Sequence, residues 1–143
     1  EFESRPHVSL AVLKDVDPVV LLRIVEQWAV RRCGFEMELS AVAAFPGDAG
    51  VVFVAPVISR ELLEMQDCLY TALHASGLHV EGFYAPGKWV PHCTICTKAP
   101  GEMMGGIVDF IRQTMVFGVV SVLSVSVVAF GPAIELGAFQ LTG

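Results

Sequence analysis

The chain has 143 residues, of which 54% are apolar and only 17% are charged, so it can fill the core of one domain. Its net charge of −6 argues against a protein that tracks long nucleic acid, because such proteins usually carry a basic face. Any nucleotide ligand is therefore expected to be small or to be held by local contacts. The uncharged run 113–134 is long enough to span a bilayer, but its many valines and serines favour a strand instead.

The first half of the chain predicts a strand, a helix and a hairpin. Apolar and polar residues alternate over 7–13, as in a half-buried strand. A helix should cover 17–32, since aspartate suits the N-cap and proline the first helical position. Two strands, 36–45 and 51–57, flank a turn rich in proline and glycine and should form a hairpin.

The second half of the chain predicts two more helices and three more strands. In order, these are a helix over 60–76, a loop over 77–90, a strand over 91–98, a helix over 102–115, and strands ending at about 130 and 141. Because hairpins rather than long crossovers connect most strands, we predict an α+β fold with antiparallel sheets and helices on the outside.

A five-residue pattern occurs twice in the chain. The segments Pro6-His7-Val8-Ser9-Leu10 and Pro91-His92-Cys93-Thr94-Ile95 both read proline, histidine, apolar, hydroxyl, aliphatic, and they are 92 − 7 = 85 residues apart. The same offset aligns Val-Ala-Ala-Phe at 42–45 with Val-Val-Ala-Phe at 127–130. We interpret this as an internal duplication.

The duplication predicts a bilobal fold with pseudo-two-fold symmetry. The repeats cover about 6–57 and 91–142 of a single domain, 1–143, and helix 59–76 and loop 77–90 link them. Each repeat then brings one histidine strand to a central cleft. The alternative is that both segments are merely half-buried strands with similar patterns.

The paired histidines and hydroxyls suit phosphodiester hydrolysis. Residues i and i+2 of a strand share a face, so His7 and Ser9 would point the same way, as would His92 and Thr94. An imidazole titrates near pH 6.5, so one ring can take a proton from water while the other gives one to the leaving oxygen. We assign His92 as the base and His7 as the acid, although the symmetry permits the reverse. Ser9 and Thr94 would donate hydrogen bonds to the phosphate oxygens.

Three further residues are candidates for ligand contact. On a continuous strand Lys98 would share a face with His92 and Thr94, which makes it either a phosphate ligand or a solvated side chain. Tyr84 and Trp89 could stack on a base or serve only in packing. The sequence has no carboxylate cluster and no glycine-rich phosphate loop, so we expect no metal and no other cofactor. The four cysteines lack a zinc-binding pattern and predict free thiols in a reducing compartment, cytoplasmic or nuclear.

These residues resemble the two-histidine (2H) phosphoesterase superfamily, also called 2′-5′ RNA ligase-like. Its paired motifs stand here as His7-Val8-Ser9-Leu10 and His92-Cys93-Thr94-Ile95, and the approach 87–92 and the hairpin 127–141 look like the family's as well. The resemblance implies a bilobal α+β fold with a central cleft. It also implies metal-independent cleavage of a 2′,3′-cyclic phosphate or of a 2′,5′ linkage of RNA origin, with weak RNA ligation in some relatives.

The sequence departs from the family pattern in two places. Bacterial members often have an arginine soon after the second motif, whereas position 97 is Thr and Lys98 follows it. Longer members have a strand and a helix before the first motif, which this chain lacks. The expected partner is a small nucleotide or RNA terminus, bound by a monomer that has no extended nucleic-acid face and no membrane contact. The alternative is a non-catalytic nucleotide-binding or anchoring module of the same fold.

Overall fold

The computed structural model describes residues 5–143 and has a mixed helix and strand architecture, which confirms the predicted α+β class. Its helices and strands are, in chain order, α1 (Pro18–Ala29), β1 (Phe35–Ala44), β2 (Val52–Pro56), α2 (Arg60–Ala75), β3 (Cys93–Cys96), α3 (Met104–Ile111), β4 (Gly118–Val122), β5 (Ser124–Ala129) and β6 (Ile134–Gln140). Short 3₁₀ helices cover Gly82–Tyr84 and Gly101–Met103. Within the described part of the chain, no helix has the length and hydropathy needed to cross a membrane.

The strands form two antiparallel sheets. One sheet has four strands in the order β3-β2-β1-β4, and the other consists of β5 and β6. Hairpin β1–β2 of the first repeat thus pairs with β3 of the second repeat, while α1 contacts β5 and β6. The repeats therefore exchange elements, and the sheets do not coincide with the predicted repeat boundaries.

The duplication is visible in the positions of the helices. Adding 85 to the bounds of α1 gives 103–114, a range that contains α3. Both helices continue beyond their last residue as a tighter turn, since the amides of Arg32 and Thr114 bond three residues back. This tightening explains why the helices end earlier than the predicted 32 and 115.

Two hydrophobic clusters form the core. The first lies among α1, α2 and β5, and the second lies among β1, β2, α2 and α3. Their buried members are Val25, Trp28, Ala29, Met65, Leu69, Leu73, Val80 and Val127 in the first, and Met37, Leu39, Val52, Val54, Leu62 and Ile111 in the second. Helix α2 supplies Leu62 to one cluster and Leu69 and Leu73 to the other, so this helix connects the two halves of the core.

Three predicted strands differ from the observed ones. Residues 7–12 join no ladder, and only Leu13 makes an isolated bridge, to Val80. The strand predicted over 91–98 covers only Cys93–Cys96. The long strand predicted to reach 130 is divided at Leu123, because β4 pairs with β1 whereas β5 pairs with β6, so the chain changes sheets there.

Replacing Ser59 with alanine should lower the free energy of unfolding by about 1 kcal/mol. The Ser59 hydroxyl accepts a hydrogen bond of 3.2 Å from the Leu62 amide and so satisfies a first-turn donor of α2. Urea unfolding measures the change. Ser40→Ala, at an exposed position of β1, is the control and should change stability by less than about 0.5 kcal/mol. Equal losses in both variants would contradict a capping role.

Candidate active site

The two motif histidines make the same local hydrogen bond. Nδ1 of His7 lies 2.8 Å from the carbonyl oxygen of Arg5, and Nδ1 of His92 lies 2.7 Å from that of Val90. Because a carbonyl oxygen can only accept, Nδ1 carries the hydrogen in both rings. In the neutral state each ring therefore has its lone pair on Nε2. The two acceptors are themselves 90 − 5 = 85 residues apart, so the duplication extends to the group that orients each imidazole.

The surroundings of the two rings differ. His7 is exposed, whereas His92 is partly buried just before β3. The edge of the Phe45 ring meets His92 with centroids 4.8 Å apart at 90°, and Phe53 lies 5.3 Å away. Phe45 and Phe53 also contact each other at 4.5 Å, so they form an aromatic wall beside the second histidine.

Local sequence gives no signal for this aromatic wall. Phe53 comes beside the second motif because it pairs with Thr94 in the register between β2 and β3. Only strand pairing creates this neighbourhood, since the two residues are 94 − 53 = 41 positions apart in the sequence.

A direct hydrogen bond joins the two motif segments. The indole Nε1 of Trp89 donates to the carbonyl oxygen of Ser9 at 3.0 Å. Trp89 lies three positions before His92, and Ser9 lies two positions after His7. The bond therefore holds the approach to the second motif against the first motif.

The buried side chain of Gln66 provides a second support for the first motif. It is 2% exposed, and its Nε2 donates to the carbonyl oxygens of Tyr84 at 2.6 Å and of Leu10 at 3.4 Å. The amide of Glu81 adds a bond of 2.8 Å to the carbonyl of Val12. Residues 9–12 are thus held largely by bonds from Gln66 of α2 and from the loop after this helix, which explains how the segment keeps its place without a strand ladder.

Of the two predicted hydroxyl donors, only Thr94 lies on a strand. Thr94 is exposed on β3, while Ser9 is partly buried and lines the same cavity as His7. Val8 and Leu10 pack against the two hydrophobic clusters.

Lys98 does not continue the strand of the second motif, so the predicted alignment with His92 and Thr94 is wrong. Strand β3 ends at Cys96, and Lys98 adopts a left-handed conformation with φ of 59°. Its amide bonds to the carbonyl of Ala49 at 2.9 Å. The turn also requires Gly50, where a Cβ atom would overlap the backbone of Ala99. Face alternation along a strand therefore does not extend to Lys98, whose contact with phosphate remains a prediction.

The stacking candidates have structural roles in the fold. Trp89 packs against the second hydrophobic cluster in addition to its bond to Ser9, and Tyr84 packs against the first cluster. Burial raises the pKa of the Tyr84 phenol, and the Ser9 hydroxyl beside it lowers this pKa by a smaller amount. Stacking on a base stays a prediction for both residues.

Arg5 is a cation at the site that the sequence analysis passed over. Its carbonyl orients His7, its side chain lines the cavity, and its guanidinium lies 3.8 Å from the carboxylate of Glu135. The arginine side chain is 75% exposed, so this ion pair contributes little to stability and leaves the guanidinium accessible. All four cysteines are free, and no group of three or more potential metal ligands occurs within residues 5–143.

The comparisons with known proteins agree with this architecture. The family model of the 2′-5′ RNA ligase superfamily matches residues 3–117, which is most of the chain. The chain belongs to this superfamily. Its fold is similar to that of a crystal structure described as a phosphoesterase, with a TM-score of 0.67 and 17% identity over 97% of this chain and 78% of that one. It is also similar to LigT from E. coli in complex with 3′-AMP, with a TM-score of 0.66 and 18% identity over the same shares. Among curated protein sequences, none matches significantly.

Replacing Gln66 with leucine should lower the free energy of unfolding by about 1–3 kcal/mol. Leucine fills a similar volume but leaves the carbonyls of Tyr84 and Leu10 without their donor. Urea unfolding of the variant measures the loss. Gln113→Leu, at an exposed position after α3, is the control for the change in polarity. If the buried and the exposed substitutions had the same small effect, Gln66 would not be a support of the first motif.

The Tyr84 phenol should make the protein less stable in alkali. Its folded-state pKa is raised, so between the unfolded value of about 10 and the folded value the folded chain binds more protons than the unfolded chain. The contribution of this phenol to the free energy of unfolding is fully present below about pH 10. It is lost as the pH rises through the folded-state pKa. In urea titrations from about pH 8 to pH 11, Tyr84→Phe should therefore lose less stability than the unmodified chain. Tyr70→Phe controls for the general loss of a phenol. If both variants gave the same dependence of stability on pH, Tyr84 would not be the source of the alkaline loss.

Proposed function

We propose that this member of the 2′-5′ RNA ligase superfamily is a metal-independent phosphodiesterase that hydrolyses a 2′,3′-cyclic phosphate or a 2′,5′-linked nucleotide or RNA end. The observation that carries the proposal is the matched pair of histidines, in which a backbone carbonyl two residues earlier orients each ring through Nδ1. Superfamily membership supports phosphodiester chemistry in general.

The histidine pair supplies the two proton transfers that the reaction needs. Nε2 of one neutral imidazole accepts a proton from water as its oxygen bonds to phosphorus. Nε2 of the other, protonated ring gives a proton to the ribose oxygen as the phosphorus–oxygen bond breaks. The second ring ends neutral and the first ends charged, so exchange of protons with solvent resets the site. With Nδ1 tied to a carbonyl, each ring keeps its orientation through both steps.

The hydroxyls of Ser9 and Thr94 are proposed to donate hydrogen bonds to the non-bridging oxygens, where negative charge grows in the transition state. Arg5, which lines the same cavity as His7 and Ser9, and Lys98 are proposed to add positive charge that stabilises these oxygens. The net charge of −6 supports a small substrate held by such local donors rather than by a long-range positive field.

A nucleotide as substrate is supported by the LigT structure with 3′-AMP. This compound is one of the two monoesters formed when 2′,3′-cyclic AMP is opened, so a site that holds it resembles a product complex. The same structure also favours a second candidate function, a module that binds nucleoside monophosphates without turnover.

Either His7→Ala or His92→Ala should lower kcat/KM for 2′,3′-cyclic AMP by roughly 10²- to 10⁴-fold, the value of one general acid or base. The assay contains EDTA, and separation of the 2′- and 3′-monophosphates identifies the bond that is cleaved. His79→Ala, which removes an exposed histidine outside both motifs, should keep full activity.

Three results distinguish the two functions. Turnover by the unmodified chain that either motif substitution abolishes supports the phosphodiesterase. Turnover that survives both substitutions would exclude the histidines as its catalysts. Tight binding of 3′-AMP without any product from the cyclic or 2′,5′-linked nucleotide would favour the binding module instead.

A further inference from the structure

Glu135 is a charged residue in the inward row of strand β6. Exposure alternates along this strand, and the less exposed positions are 135, 137 and 139. Phe139 packs against the first hydrophobic cluster, and a Cβ atom at Gly137 would come within 2.7 Å of Leu22 on α1, so this row faces the core. The Glu135 side chain is 25% exposed. A carboxylate at such a position needs partners, because partial burial removes water from the charge.

Two groups hold the Glu135 carboxylate in place. The hydroxyl of Ser126, on the neighbouring strand β5, donates to Oε2 at 2.8 Å, and the guanidinium of Arg5 lies 3.8 Å from Oε1. The bond from Ser126 fixes the carboxylate to the sheet. The ion pair with Arg5 is weak, because the arginine side chain is 75% exposed to water. Arg5 therefore reduces the negative potential around Glu135 without cancelling it.

The carboxylate belongs to the same cavity as the first motif. Glu135 and Ser126 line the cavity of about 830 Å³ that His7 and Ser9 also line. Arg5 connects the two groups, since its guanidinium pairs with Glu135 while its carbonyl oxygen orients His7.

The fixed charges of this lining are negative in sum. Among the described residues, the charged side chains that line the cavity are Arg5, Asp15 and Glu135, which are one cation and two carboxylates. Of the two carboxylates, Glu135 is the one paired with Arg5 and thus the one beside the first motif. A phosphate bound next to His7 therefore meets a fixed negative charge.

The proposed reaction changes the charge of the bound ligand. A 2′,3′-cyclic phosphate or a 2′,5′ linkage is a phosphodiester with a single negative charge. Hydrolysis gives a phosphomonoester, whose second pKa is about 6, so the product carries nearly two negative charges at neutral pH. Coulomb repulsion is proportional to the ligand charge. A fixed carboxylate therefore raises the free energy of the bound product about twice as much as that of the bound substrate.

We propose that Glu135 is a specificity-determining residue that weakens binding of the dianionic phosphomonoester more than binding of the monoanionic phosphodiester, and so promotes product release. This inference rests on the proposed phosphodiesterase function. It accounts for a carboxylate held by Ser126 in the lining of a site for an anion, where packing alone would favour an apolar side chain.

Binding measurements in a variant without turnover test the proposal. His92→Ala blocks the proposed hydrolysis, so calorimetry at neutral pH can measure Kd for both 3′-AMP and 2′,3′-cyclic AMP. Adding Glu135→Gln removes the charge but keeps an oxygen that accepts from Ser126. It should tighten binding of the cyclic nucleotide about 3-fold and of 3′-AMP about 10-fold, since doubling the ligand charge squares the factor.

Two further variants separate the charge of Glu135 from other effects. Glu38→Gln removes an exposed carboxylate on β1, outside the cavity, and should change either Kd by less than about 1.5-fold. Glu135→Asp keeps the charge and should keep the ratio of the two Kd values close to that of the parent variant. With His92 in place, Glu135→Gln should strengthen inhibition by 3′-AMP about 10-fold.

Several outcomes would overturn the proposal. Equal tightening of both nucleotides by Glu135→Gln, or no tightening of either, would show that the carboxylate does not discriminate by charge. An equal effect of Glu38→Gln would assign the change to the net charge of the chain. A changed Kd ratio in Glu135→Asp would indicate a packing role.

Failure of the proposed function gives a different result. If both factors are as expected but the unmodified chain hydrolyses no phosphodiester, the discrimination by Glu135 stands and the phosphodiesterase function fails. If the parent variant binds neither nucleotide, both proposals fail.

Discussion

A hydrogen bond from the indole of Trp89 to the carbonyl of Ser9 connects the two halves of the proposed site. The first motif has no strand ladder, so its position depends on groups that reach it from elsewhere in the chain. Trp89 provides one such group, and Gln66 on α2 provides another through its bonds to Leu10 and Tyr84. Since Gln66 lies in the helix that joins the two hydrophobic clusters, packing of the core and placement of the first histidine are coupled.

The duplication gives the two histidines the same local chemistry in different surroundings. Each ring bonds through Nδ1 to the carbonyl two residues before it, because both motifs have the same local backbone arrangement. Tertiary structure then makes them unequal. His92 lies beside Phe45 and Phe53 next to a four-stranded sheet, whereas His7 lies exposed beside an open cavity.

The two motif segments are held in place by different kinds of hydrogen bond. In the second motif, β3 is held by hydrogen bonds to β2, so Thr94 has a definite neighbour in Phe53. The equivalent segment of the first motif joins no ladder and relies on side-chain donors instead. Extended backbone is stable only where its main-chain groups find partners, and at the first motif Gln66 and Trp89 supply such partners.

The sequence by itself determined the features that depend on near neighbours. Asp17 and Ser59 cap α1 and α2 because a short side chain can reach an amide two or three residues ahead. The β1–β2 and β5–β6 hairpins follow from turn residues between alternating segments, and the equivalence of the two histidines follows from the 85-residue offset. Tertiary structure alone decided which alternating segments became strands, where the long final strand changed sheets, and that Phe45 and Phe53 meet His92. It also ended β3 before Lys98. A strand, a sheet edge and a ring contact each need a partner from a distant part of the chain, and local sequence does not specify which partner comes within reach.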